Sequence, residues 1–162
     1  MDEQRRELIE AIHATPTMIV LVVTGGGSTA IADLLSVAGA SGTILEAVVP
    51  YAHSAVEEWL GGAEGGAHAR TALEMATRAH ARARDLAGDT TAVCGIACTA
   101  ALATVRDRRG ADRAHLASVG DGATIMEHVE LERCEGREAQ ERIVSDVVLR
   151  LVARACGVGE VQ

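Results

Sequence analysis

The chain contains no lysine: all 15 of its cationic side chains other than histidine are arginine. This absence removes whole chemistries. A Walker A phosphate loop needs its lysine. Schiff-base catalysis and a serine–lysine dyad both need a side-chain amine. Aromatic residues are almost as scarce, with no phenylalanine, one tyrosine (Tyr51) and one tryptophan (Trp59). A core built from Ala, Val, Leu and Ile buries little area per residue, so it needs many elements rather than a few bulky anchors. No apolar run reaches the ~18 residues of a membrane-spanning helix. The opening MDEQRRELIE is charged and amphipathic, unlike a signal peptide. Four cysteines in a chain of this kind are expected to stay reduced, which points to the cytoplasm. The 23 acidic residues leave a net charge of −8. Such a balance lacks the basic stripe of a nucleic-acid binder.

What is present is a regular alternation of apolar strands and amphipathic helices over 162 residues, with no second composition regime and no repeat. One domain, 1–162, is expected. Residues 2–14 read as a helix, halted at Thr15-Pro16 because the residue before proline avoids the helical region. The run 18–23 (MIVLVV) has the length and branching of a strand buried on both faces. A helix over 29–37 follows a glycine turn. A strand over 43–49, a helix over 52–60, a glycine-rich loop over 61–66 and a long Ala/Arg helix over 68–86 come next. Residues 91–97 read as a third buried strand, 98–104 are ambiguous, and 106–113 (RDRRGADR) read as a charged loop. Strands over 115–119 and 124–131 flank Asp121-Gly122, a hairpin signal, before a last helix over 135–156. The order predicts an α/β fold: a three-layer α/β/α sandwich with a mixed, mainly parallel sheet and a late antiparallel hairpin.

The richest segment is TGGGST, residues 24–29, between the first strand and its helix. Three glycines permit positive φ and close approach of a ligand. Free amides at a helix start, with the dipole, favour an anion. Gly25, Gly26, Gly27, Ser28 and Thr29 are therefore candidate ligand-binding residues. The structural alternative is that Ser28 caps the helix and the glycines serve a tight turn. Ala30 breaks the dinucleotide pattern GxGxxG, so no Rossmann cofactor is expected, nor any other cofactor.

The ordered set of motifs resembles the CinA C-terminal family. VTGGGST, AGASGTILEAVVPYA and RDRRGADR match VTGGxS, PGASxTVLEAxVPYS and RPKxGDHR, the pattern of a divergent branch joined to nucleotidylyltransferase-like domains. AVCGIACTA and the terminal helix continue the likeness, which spans about residues 10–156. Family members include amidohydrolases that convert nicotinamide mononucleotide to nicotinate mononucleotide and ammonia. The resemblance implies a small nucleotide ligand, self-association, most simply as a dimer, and a nucleotidylyltransferase partner. Set against the amidohydrolase pattern ESCTGG, Val23 replaces the glutamate and Thr24 the serine nucleophile. Against TYSNxxK, Tyr51 matches, His53 replaces asparagine and Val56 stands where lysine should be. Against TGIAGP, Cys94 replaces threonine, Gly95 matches and Thr99 replaces proline.

Carboxamide hydrolysis needs a nucleophile, an oxyanion hole and a proton carrier. Thr24 is the candidate nucleophile, the amides of residues 25–27 the oxyanion hole, and Tyr51 or His53 the proton carrier. Packing for Tyr51 and simple exposure for His53 are the structural alternatives. Cys94 and Gly95 are further ligand-binding candidates, as are Arg106, Arg108 and Arg109, whose forks suit phosphate unless they merely offset neighbouring acids. Cys94 and Cys98 lack partners at metal-ligand spacing, so no metal is expected. Three readings remain: an amidohydrolase acting on a pyridine nucleotide, a non-catalytic nucleotide-binding or regulatory module of the same fold, and a stand-alone assembly subunit that pairs with a nucleotidylyltransferase partner.

Overall fold

A computed structural model describes residues 1–89 and 91–159. Helix α1 (Glu3–His13) opens on Asp2, whose carboxylate accepts the Arg5 amide, and stops ahead of Pro16. Strand β1 (Met18–Thr24) follows, then α2 (Ser28–Ser36), β2 (Ile44–Val48), α3 (His53–Trp59) and α4 (Ala69–Ala87). The chain continues through β3 (Val93–Ala101), β4 (Asp112–Gly120), β5 (Thr124–Leu131) and α5 (Gly136–Ala155). The five strands form one sheet in the order β2-β1-β3-β4-β5. β2, β1 and β3 run parallel, while β3-β4 and β4-β5 are antiparallel.

Alternation along the strands divides the core into two layers. Ile19, Leu21 and Val23 join Cys94, Ile96, Cys98 and Leu116 against α1, α2 and α5. Val20 and Val22 join Val93, Ala97 and Ala117 against α3 and α4. The expected α/β/α sandwich is thus what forms. The anchors are small, as the composition requires, and α4 meets the sheet through alanines 72, 76, 79 and 83. None of the described helices is long and apolar enough to cross a membrane.

Two boundaries differ from the sequence expectation by three residues or more. The ambiguous stretch after Ala97 continues β3 as far as Ala101, because β1 and β4 offer ladders on both sides. β4 begins at Asp112 rather than His115. The carboxylate of Asp112 is buried, yet it receives Arg108, Arg133 at 2.9 Å and Gln140 Nε2 at 2.9 Å. A polar residue so fully satisfied can enter a strand that its type alone would not suggest.

The chain leaves β1 for β2 through α2 on one face, then crosses to β3 through α3 and α4 on the other. The direction of winding therefore reverses between β1 and β3. In open α/β sheets the crevice at that reversal, beyond the carboxyl ends of the strands, is where ligands gather.

Candidate functional site

A cleft of about 270 Å³ lies at that reversal. Thr24 and Gly25 from the end of β1 line it with Thr99, Ala100 and Ala101 from the end of β3. Tyr51 and His53 enter from the connection into α3, with Val56, Gly66 and Ala67 completing the wall. The three candidate catalytic residues, Thr24, Tyr51 and His53, therefore share one cavity. Thr24 sits deep, 8% exposed, whereas Tyr51 is 63% exposed at the rim. Thr99 is the direct register partner of Thr24. Its hydroxyl donates to the Gly66 carbonyl at 2.9 Å, fastening the glycine-rich loop over the cleft.

The glycine turn is shaped by packing. At Gly25, φ is +79° and a Cβ would fall 1.9 Å from the Ala100 carbonyl oxygen. No side chain fits there. At Gly27, φ is +98°, and Gly27, not Ser28, occupies the N-cap position of α2. Ser28 is the first helical residue, so the capping alternative fails for it.

The anion expected at the start of α2 is supplied by the protein itself. Glu141 of α5 accepts the Gly27 amide at 2.8 Å and the Thr29 amide at 3.0 Å. Ser145 donates to the same carboxylate at 3.1 Å and Ser28 at 3.3 Å. Burial pushes this carboxyl upward, but the amides of Thr29 and Gly27 and the Ser145 hydroxyl outweigh it and hold it below its ordinary value. Gly27, Ser28 and Thr29 are thereby committed to an internal partner, not to a ligand phosphate. Gly26 faces the same corner, where a Cβ would stand 2.8 Å from Leu102 and 3.3 Å from Glu141.

Other candidates lie elsewhere. In the β1–β3 ladder Cys94 is opposite Ile19, five positions before the Thr24–Thr99 pair. It lines a second cavity at the far end of the sheet with Ser118 and Asp121. Burial, aided by Asp121, pushes its thiol up, and the S–H points at the Ala155 carbonyl, 3.6 Å away. Gly95 lies under α4, where a Cβ would be 2.2 Å from the Ala76 carbonyl oxygen and 2.2 Å from the His80 amide. Its role is close helix–sheet contact. Arg108 is bound to Asp112 and to the Leu102 carbonyl. Arg106 and Arg109 are exposed on the loop before β4 and do not line the cleft.

Arg137, near the start of α5, was not singled out by the sequence. It donates to the Tyr51 hydroxyl at 2.9 Å, to the Gly25 carbonyl at 3.3 Å and to the Ala103 carbonyl at 3.1 Å. One guanidinium thus ties the rim tyrosine to the ends of β1 and β3. Those contacts use three of its five N–H donors, leaving Nε–H and one Nη1–H. The absence of lysine gave a signal for it, since any cation at the site had to be arginine. Its distance in sequence hid which one.

Solved structures of similar architecture now give the fold a name. The competence/damage-inducible protein CihA from Agrobacterium tumefaciens superposes with a TM-score of 0.69 and 21% identity, covering 94% of this chain and 96% of that one. The chain has the fold of the CinA superfamily. A competence or damage-inducible protein from Enterobacter asburiae gives a TM-score of 0.68 at 16% identity, covering 93% and 98%. A CinA-superfamily protein from Enterobacter cloacae gives 0.65 at 18%, covering 93% and 92%. No family model matches the sequence, and no curated protein does. The architecture is shared over nearly the whole of both chains, while the sequences have diverged.

Proposed function

We propose that the cleft binds a small carboxamide-bearing nucleotide, of the pyridine-nucleotide class, and hydrolyses its amide with Thr24 as nucleophile. The observation that carries this reading is the meeting of Thr24, Tyr51 and His53 in one cavity at the reversal of the sheet. Thr24 Oγ attacks the carboxamide carbon while its proton passes to His53. The C–N bond breaks as that proton reaches the leaving nitrogen, which departs as ammonia. Water then opens the ester on Thr24 and restores the hydroxyl. With the α2 amides engaged by Glu141, the negative end of the ligand is assigned to the unused N–H groups of Arg137 at the rim.

A second reading, binding without turnover, has its own observation. Among the described residues no side chain makes a hydrogen bond to the Thr24 hydroxyl that would mark a resident base. One experiment separates the two. Nicotinamide mononucleotide is incubated with the wild type and with Thr24→Ala and His53→Gln, and ammonia is measured. Hydrolysis predicts turnover abolished in Thr24→Ala and reduced by roughly 10²–10⁴-fold in His53→Gln. Thermal stabilisation by the nucleotide without ammonia supports the binding module. Neither turnover nor stabilisation overturns both.

A further inference from the structure

The second cavity, about 270 Å³, lies at the amino-terminal ends of β1 and β3, between the β4–β5 turn and the last turn of α5. Ser118 of β4 lines it. Ser118 is the register partner of Ile96, and directly opposed residues share a face, so its side chain lies on the α5 side of the sheet. It is 2% exposed, yet its hydroxyl has no hydrogen-bond partner among the described residues. Buried polar groups are almost always paired, so this one calls for a partner. Among the described residues Trp59 Nε1 is the one buried side-chain polar atom both sealed from solvent and unpartnered. The Ser118 oxygen is therefore not sealed: it opens onto the cavity.

The remaining lining says what that partner can be. Cys94 keeps its proton, because burial and Asp121 push the thiol up, and its S–H points at the Ala155 carbonyl, 3.6 Å away. The interior thus offers a neutral hydroxyl and a neutral thiol against Val93, Ile125 and Ala155. The charged side chains in the lining, Asp121 and Arg154, are exposed at the rim and already engaged. Asp121 accepts from His80 at 2.9 Å and from Arg84, and Arg154 donates to Glu127. An anion entering here would face Asp121 and compete with Glu127. A cation would face Arg154. Either would carry its charge in to Ser118 with no counter-ion, which is costly. One water has a share of about 30 Å³, so it would satisfy Ser118 and leave most of the space beside apolar walls. An apolar group displaces loosely held water with a gain in affinity. A cavity of about 150 Å³ is enough to admit a benzene ring.

We propose that this cavity binds a small uncharged molecule with an apolar body and one neutral oxygen function, a hydroxyl or carbonyl that pairs with Ser118. It shares no lining residue with the cleft, so it stands independently of the hydrolase reading.

The test uses three molecules of one skeleton: benzyl alcohol, benzoate and benzylamine. Each is titrated into the full chain while backbone amide shifts are followed by nuclear magnetic resonance, and circular dichroism verifies that every variant folds. Benzyl alcohol should give saturable shifts at residues 118, 120, 122 and 125. Benzoate and benzylamine should bind at least about tenfold more weakly. Ser118→Ala should weaken benzyl alcohol by about threefold to tenfold. Ala155→Leu, which fills the space, should abolish its binding, and Ser118→Ala alone decides if that variant fails to fold. Thr24→Ala, in the other cavity, should leave it unchanged. No saturable shift in the wild type would mean a water site only and overturn the proposal. So would charged analogues that bind as tightly, affinity untouched by Ser118→Ala, or shifts centred on residues 24 and 51.

Discussion

The amides of Gly27 and Thr29, at the start of α2, end on the carboxylate of Glu141. A helix start that binds its own carboxylate gains a cap and loses a vacancy for a ligand anion. Glu141→Ala should therefore destabilise the fold by about 1–3 kcal/mol. Sulfate should restore part of the loss, because the freed amides then have an external anion to bind. Thermal melts with and without sulfate check this; equal sulfate response in wild type and variant would contradict it. The pH dependence follows from the same contacts. Because the folded carboxyl lies below its unfolded value, its contribution is complete above the unfolded value and is lost as pH falls through the folded one. The stability gap between wild type and Glu141→Gln should accordingly narrow below about pH 4. TGGGST announced a turn that favours negative charge. It could not announce that the charge would come from a residue 114 positions beyond Gly27. Thr24 was singled out by its place in the turn, and Tyr51 and His53 by the motif resemblance; the fold sets all three around one cavity.

Among the elements, β1 was the easiest to recognise, since MIVLVV has few alternatives to a strand covered on both faces. The end of β3 was not, because CTAALAT is equally at home in a helix. Only its two neighbours decide the matter. β4 was shortened in the sequence reading for the opposite reason: Asp112 and Arg113 look like loop residues until their partners are known. The glycine of GIA was read as a ligand contact and is instead a helix contact. Gly95→Ala should cost about 1–3 kcal/mol by forcing α4 away from β3. Chemical denaturation would measure it, and an unchanged midpoint would show that α4 does not press on β3 as closely as the contact distances require.

At the scale of the molecule, the proposed function rests on where the winding reverses. The alternation of strands and helices made the sandwich predictable, but not which strands would be neighbours. The order β2-β1-β3 sets Thr24 beside Thr99, and α5 then returns across the opening to deliver Arg137 and Glu141. A chain without lysine, acidic overall, concentrates its positive charge in arginine forks fixed by carbonyls and carboxylates. Two cavities of equal size, each about 270 Å³, lie at opposite ends of the sheet, and the cleft at the reversal is the one that sets the His53 imidazole in the same lining as the Thr24 and Tyr51 hydroxyls. The most direct measurement is a crystal structure of Thr24→Ala with nicotinamide mononucleotide. The carboxamide should lie against residue 24 between Tyr51 and Thr99, with the phosphate toward Arg137 and Glu141 still on the α2 amides. A nucleotide seated in the cavity beside Cys94, or a phosphate that displaces Glu141 from Gly27 and Thr29, would contradict it.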